Sequence, residues 1–412
     1  MRSYFKIALK VLRRRKFFTF ISLFGISMTL VVLMVATAVL DNFLSPRAPE
    51  SRFDRVLCVY KIGQYGPHDS ETGEPGFAFL DASMRALPGI ERAAIFSNPR
   101  STAIYQGNAR IETTIKKTDG EYWPLLDFRF VEGRPFTKQQ DHSGAFVAII
   151  DDAMRGKLFG NEPALGKSFE LEGQRFRVMG VVPRVSMTRI AAWSEVWVPI
   201  GATTTSVTRH SLIGGFNGLV LARSRSDFSR LKREFATRVR QFPIDDPRTF
   251  TEIRAGLDTP FEAMARELTR NREGDRAAAI AAIVFAVMAV LFMTLPALNL
   301  VTLNLSRILE RSSEIGVRKA FGASRPALVS QFILENVILT LIGGVIGFAL
   351  AAAALAAITS SGLIPYTRFD VNPRIFAWGM AIAAFFGLFS GVYPAWRMSR
   401  LDPVVALRGG SQ

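Results

Sequence analysis

Four long apolar runs interrupt this chain. The first covers residues 17–40 and holds no charged side chain. A helix of that length extends about 36 Å, enough to cross the hydrocarbon core of a bilayer with some tilt. The others cover residues 277–306, 327–359 and 375–396, and the third contains a single carboxylate, Glu335. The pattern predicts a membrane protein with four transmembrane α-helices. A large α+β extracytoplasmic domain is inserted between the first and second. A signal peptide is the competing reading of the first run, because Ala36, Thr37 and Ala38 resemble a cleavage site. That run exceeds the usual 7–15 apolar residues, which favours an uncleaved anchor.

The polar stretch, residues 41–257, shows two similar patterns. One reads as strand 52–62, helix 77–87 and strands 90–96 and 109–116; the other as strand 218–222, helix 227–242 and strand 249–254. Phe228, Leu231, Phe235 and Val239 recur at helical spacing, with Asp227 as the predicted N-cap. Two such units are expected to join into one sheet with helices on one face. Residues 121–200 read as mostly strand and are expected to form an inserted subdomain. Residues 258–276 are charged and helix-favouring, which predicts a stalk helix continuous with the second span, with Gly274 the position for a kink.

Charge orients the spans. The net charge of +16 is concentrated beside the apolar runs. Residues 1–16 carry seven basic groups and no acid, residues 307–326 five basic and two acidic, and residues 397–412 three basic and one acidic. Four spans put all three clusters on one side, which the positive-inside rule makes the cytoplasm. Both termini are then cytoplasmic in a multi-pass protein of the cell (inner) membrane, residues 360–374 form a short outer loop, and the basic excess needs no nucleic acid.

Candidate chemistry is sparse. Cys58 is the only cysteine, and His68, His142 and His210 are widely dispersed, so no metal site is expected. Gly160 to Ser168 reads G-N-E-P-A-L-G-K-S, one residue too long for a phosphate loop, and is read as a turn between helix and strand. The acidic pairs Asp151-Asp152 and Asp245-Asp246 are read as caps and turns. No catalytic, cofactor-binding or metal residue is assigned.

The spans and their cytoplasmic loop say more. Glu335 is expensive inside a membrane and is either functional or an anchor paired near the interface. Gly343, Gly344 and Gly347 form a small-residue strip, and Gly387 and Gly391 a second pair, both suited to close helix packing. The loop contains Glu314, Ile315, Gly316, Val317, Arg318, Lys319, Ala320, Phe321, Gly322 and Ala323. These can form a short amphipathic helix, held either by lipid or in a partner's groove.

The string E-I-G-V-R-K-A-F-G-A-S, then Q-F-I-L-E at 331–335 and G-G-V-I-G at 343–347, resembles the FtsX-like permease domain of ABC transporters. The ending Y-P-A-W-R-M-S-R-L-D-P-V-V-A-L-R at 393–408 resembles the same family. R-F-V-E-G-R-P-F at 129–136, K-L-F-G-N-E-P-A-L-G-K-S-F at 157–169 and F-R-V-M-G-V-V-P at 176–183 resemble the MacB-like periplasmic core. The resemblance implies a permease dimer, homo- or heteromeric, whose copies each engage an ABC ATPase. Residues 314–323 would be the coupling helix. It implies mechanotransmission to the periplasmic domain for export, with a periplasmic adaptor as a further partner. ATP would sit on the partner subunit, no cofactor on this chain, and the chain itself would not be an enzyme. MacB carries its ATPase before the first span, whereas sixteen residues precede it here, so a separate ATPase subunit is expected. A lipoprotein-release permease and an ATPase-independent envelope sensor or scaffold are the alternatives.

Overall fold

The computed structural model describes residues 16–106, 109–203, 211–244, 246–269, 276, 278–288, 290–291, 321, 325–362, 367, 369, 373–374, 376–381 and 384–385. The chain divides into two compact units, one of residues 43–282 and 364–367, the other of residues 1–42, 283–363 and 368–412.

The first unit is built on a ten-stranded sheet. Strands β1 (Val56–Val59), β4 (Ile90–Ser97) and β12 (Phe216–Ala222) pair antiparallel, with β12 in the middle. Two helices, α2 (Phe77–Met84) and α7 (Phe228–Gln241), cover one face. Leu231, Phe235 and Val239 are buried there with Phe79, Leu80 and Met84, so the helical period predicted from the sequence is the packed face. Asp227 holds the predicted N-cap position, but its side chain pairs with Arg230 at 2.9 Å and makes no cap bond.

Helices were expected on one face only, yet β1 and β12 are buried at every position. The opposite face is covered by an aromatic layer that includes Tyr122, Trp123, Phe136 and Trp197. Double coverage explains why residues 147–150 of β8 (Val147–Asp151), 196–198 of β11 (Val196–Pro199) and 219–222 of β12 are apolar without alternation.

The expected insertion at 121–200 has different limits. β5 (Arg100–Gln106), β6 (Ala109–Thr118), β11, β8, β10 (Gln174–Val182) and β9 (Ser168–Leu171) close into a ring, because β5 pairs with both β6 and β9. The ring therefore begins at Arg100. It shares β6 with the open part of the sheet: residues 109–115 pair with β5, residues 115–118 run parallel to β11, and Thr118 pairs with Phe96 of β4. A ten-residue strand is long enough to serve both partners. The apolar residues of the ring and of α5 (Asp152–Phe159) form their own core, among them Ile150, Met154, Phe169, Phe176 and Val196.

The predicted strand 52–62 is a 3₁₀ turn followed by β1 and then β2 (Ile62–Tyr65). β2 leaves the main sheet and pairs with β3 (Ser70–Gly73) and β13 (Glu252–Ala255) in a separate three-stranded sheet. The stalk is also different. α8 (Pro260–Thr269) and the apolar helix α9 (Ala278–Met288) pack Ala265 against Ala281, with Phe261 and Ala278 beside them. Residues sixteen apart in one straight helix stand about 24 Å apart. The two described segments therefore do not lie along one straight helix axis; residues 270–275, Gly274 among them, lie outside the described residues.

The second unit contains α1 (Lys16–Leu44) and α10 (Arg325–Ser360). Each is long and apolar enough to cross a membrane, over Thr19–Asn42 and Val337–Ser360. Phe20, Phe24 and Val32 on α1 and Leu341, Val345 and Phe348 on α10 face outward, an arrangement suited to lipid. Of the expected second and fourth spans, residues 292–306 and 386–396 lie outside the described residues.

The helices meet at glycines. A Cβ on Gly343 would stand 2.8 Å from Ile26 Cγ2, and one on Gly347 would stand 3.0 Å from Leu30 Cβ. Ser27 Oγ donates to the Gly343 carbonyl at 3.1 Å. Gly344 faces Met380. Gly343→Leu is expected to cost about 1–3 kcal/mol through overpacking. The check is detergent thermal unfolding beside Gly156→Leu, whose added Cβ meets nothing within 4 Å; equal midpoints would exclude a tight contact.

Candidate functional site

The segments that lead toward and away from the apolar helices converge on one loop of the first unit, residues 186–192. Four groups hold it. Glu50, six residues beyond the end of α1, is buried, and its Oε1 accepts hydrogen bonds from Ala191 N at 3.1 Å and Ala192 N at 3.0 Å. Lys116 of β6 is fully buried and donates to the Ile190 carbonyl at 3.0 Å and the Ala191 carbonyl at 2.7 Å. Tyr122 of α3 (Tyr122–Leu125) donates its hydroxyl to Ala191 O at 2.8 Å. Arg189 donates to the Ser45 carbonyl at 2.7 Å and stands 3.7 Å from Glu50 Oε2. At the loop's start Ser186 bonds Thr367, from the sequence between the third and fourth apolar runs.

The electrostatics follow from burial. Desolvation raises the Glu50 carboxyl to about 7, against the opposing pull of Arg189 and Lys116. Desolvation lowers the Lys116 ammonium to about 7, with Glu50 opposing it. Fixed polar groups inside an apolar site specify one backbone arrangement when each is satisfied.

α8 is tied in beside this loop. The Cys58 N–H donates to Asp258 O at 2.7 Å and Asp258 N–H returns to Cys58 O at 2.9 Å. Arg266 of α8 donates twice to the Asp258 carboxylate, Nε to Oδ2 and Nη2 to Oδ1, each at 2.8 Å. Thr259 and Glu262 form a capping box, and Lys232 of α7 reaches Glu262 at 2.7 Å. A cavity of about 280 Å³ lies here, lined by Glu50, Phe53, Ile190, Asp258, Met264 and Leu268 among others.

Burial pushes the Cys58 thiol and the Tyr60 phenol well above their ordinary values, so neither is an activated nucleophile. Among the described residues no group of three or more histidine, cysteine or carboxylate side chains could hold a metal ion.

The predicted site residues fall as follows. Of residues 314–323, only Phe321 is described, and it is exposed; the others lie outside the described residues. Glu335 lies within α10, with its side chain outside the described part. Gly343, Gly344 and Gly347 stand at the helix contacts given above, and Gly387 and Gly391 lie outside the described residues. Gly160 to Ser168 joins α5 to β9, a helix-to-strand turn, the reverse of a phosphate loop's strand-to-helix order. Asp151 caps α5 through Met154 N at 2.6 Å and binds Arg184. Asp245 lies outside the described residues, and Asp246 forms a turn with Arg248. Sequence reasoning missed Glu50, Lys116 and Arg189. Each is a lone charge in an ordinary context, and only the fold brings them together.

Comparison with known proteins covers both halves of the chain. Residues 19–238 match the MacB-like periplasmic core domain and residues 286–403 the FtsX-like permease C-terminal domain. The chain is 25% identical over 353 residues to a Bacillus subtilis protein named as an uncharacterized ABC transporter permease, YknZ, covering 84% of each chain. It is 24% identical over 409 residues to the macrolide export ATP-binding/permease protein MacB of Wolinella succinogenes, covering 98% of this chain and 60% of that one. The solved extracellular domain of YknZ aligns with 48% of this chain and 98% of its own at 21% identity and a TM-score of 0.36.

Proposed function

Because the chain belongs to the family of ABC-type permeases with a MacB-like periplasmic core and an FtsX-like C-terminal domain, we propose that it transmits ATPase-driven motion across a membrane to its extracytoplasmic domain. The observation that carries this reading is the ordered match of both domains on one chain, residues 19–238 and then 286–403. A partner ABC ATPase would engage residues 314–323 from the cytoplasm, and a second permease copy, the same or a sister chain, would complete the assembly. The chain itself would perform no catalysis, with ATP held on the ATPase and both termini cytoplasmic in the inner membrane. Relatives named for macrolide and pyoverdine export support export as the direction of transport.

The loop at 186–192 gives the motion a route. It holds Ser45 just past α1 and Thr367 from the third-to-fourth connection, while Lys116 fixes it to β6 of the sheet and Tyr122 to α3. A displacement of either segment reaches the ring strands through hydrogen bonds rather than through a flexible linker.

The test is a gentle-detergent pull-down of the native protein beside the double charge reversal Arg318→Glu and Lys319→Glu. We expect an ABC ATPase with the wild type and its loss or weakening with the reversal, with membrane insertion unchanged. Equal ATPase binding and stimulation would exclude the coupling site. No ATPase with well-folded wild type in several detergents would favour an envelope sensor.

A further inference from the structure

The loop at 187–190 is inside out. Thr188 and Arg189 are buried, at 3% and 4% exposure, whereas Ile190 is 55% and Met187 37% exposed. A loop facing water more often buries its apolar residues and exposes its charges, so the reversed order makes a surface suited to an apolar cover. Leu268, near the end of α8, is 64% exposed and lines the same cavity as Ile190. Ile190 and Leu268 thus come from two separate segments that meet at this cavity, with the Lys61–Glu267 ion pair at its rim, and Met187 lies three residues before Ile190.

Chain connectivity says what surrounds them. Arg189 donates to the carbonyl of Ser45, three residues beyond Asn42, where the candidate first span ends. Three residues reach at most about 11 Å. The polar zone of a bilayer extends some 5–7 Å beyond the hydrocarbon on each side. The loop next to Ile190 is thus tethered within reach of the headgroup layer whatever angle the domain takes. Ser186 bonds Thr367, seven residues beyond the end of the other whole span at Ser360, so a second tether leads to the same surface. Leu268 lies ten residues before the apolar helix α9.

We propose that Met187, Ile190 and Leu268 form a membrane-seating surface, inserted among the lipids of the outer leaflet beside the end of the first span. The surface holds the extracytoplasmic domain against the bilayer at the loop that carries the Glu50 and Lys116 contacts. The inference rests on the reading that α1 crosses the membrane, and the test separates the two.

Single cysteines are placed at Met187, Ile190 or Leu268, at Val32 on the outward face of α1, and at Tyr105 on the exposed side of β5. Cys58 is buried and stays in place, with unsubstituted protein as the labelling background. Each full-length variant carries an environment-sensitive fluorophore and is reconstituted into vesicles of phosphatidylethanolamine and phosphatidylglycerol, with or without nitroxide-bearing lipid. We expect blue-shifted emission at positions 187, 190 and 268 and lipid quenching approaching that at 32, with water-like, unquenched emission at 105. Quenching at 32 but none at 187, 190 and 268 overturns the membrane-seating surface and leaves the span intact. No quenching at 32 overturns both. A blue shift at 190 without lipid quenching assigns the cover to protein, such as a second copy, and overturns the proposal.

Discussion

Replacing Glu50 with alanine is expected to destabilise the extracytoplasmic domain by about 3–5 kcal/mol, the usual result of removing one partner from a buried charged network. The substitution strips Ala191 N and Ala192 N of their shared acceptor and leaves Arg189 buried beside an empty site. Glu50→Gln keeps a carbonyl oxygen for both amides. Below pH 7 it also removes little charge, because burial raises the carboxyl to about 7. Its cost should fall near 1 kcal/mol, the net scale of a single hydrogen bond. Hydrogen exchange of the peptide spanning residues 186–196 reads the effect locally. We expect alanine to abolish its protection and glutamine to preserve most of it. Wild-type protection in the alanine variant would show that Lys116 and Tyr122 suffice to hold the loop.

Asp119→Ala should be comparably severe. Asp119 is buried at the end of β6, and its carboxylate accepts from Ile95 N at 3.0 Å, Glu121 N at 3.1 Å, Tyr122 N at 2.9 Å and Arg85 Nη2 at 2.7 Å. Three buried amides lose their acceptor, each a cost of about 1–3 kcal/mol before relaxation, and we expect a total of about 3–5 kcal/mol. The same residue gives stability a pH dependence. Desolvation raises its carboxyl from 3.8 to about 7 and that of Glu50 from 4.5 to about 7. Between those limits the folded chain holds protons that the unfolded chain has released. Their contribution is therefore full below the unfolded values and is lost as pH rises through 7. Lys116 acts oppositely: lowered from 10.5 to about 7, it makes stability rise with pH over that upper window. Urea midpoints of the full chain should fall from pH 5 to pH 7, with a flatter slope in Asp119→Asn. An unchanged slope in that variant would remove Asp119 as a source.

Charge pairs such as these leave no mark on local sequence, whereas much else does. The 3.6-residue period of Phe228, Leu231, Phe235 and Val239 places α7 to within a residue, because one buried face against the sheet imposes it. The charge-free run at 17–40 places α1, since apolar character on every side has few uses outside lipid. The small residues Gly343 and Gly347 were legible as packing positions because only such residues let two backbones approach, and α1 lies against both. The family-specific strings around residues 129–183 and 314–347 lie in the matched domains, so the permease assignment was also legible.

The sequence by itself thus determined the two long helices α1 and α10, most central strands and the permease family, all properties of neighbouring residues or local patterns. Tertiary structure alone decided three others. Closure of the ring depends on β5 pairing with β9, about sixty residues later, and such a contact has no period to read. The packing of α8 against α9 depends on Ala265 meeting Ala281, which helix propensity cannot distinguish from one continuous stalk. The loop at 186–192, with its own Arg189, gathers Glu50, Lys116 and Thr367 from three distant parts of the chain. Each is an unremarkable polar residue until burial removes water and makes its partners obligatory.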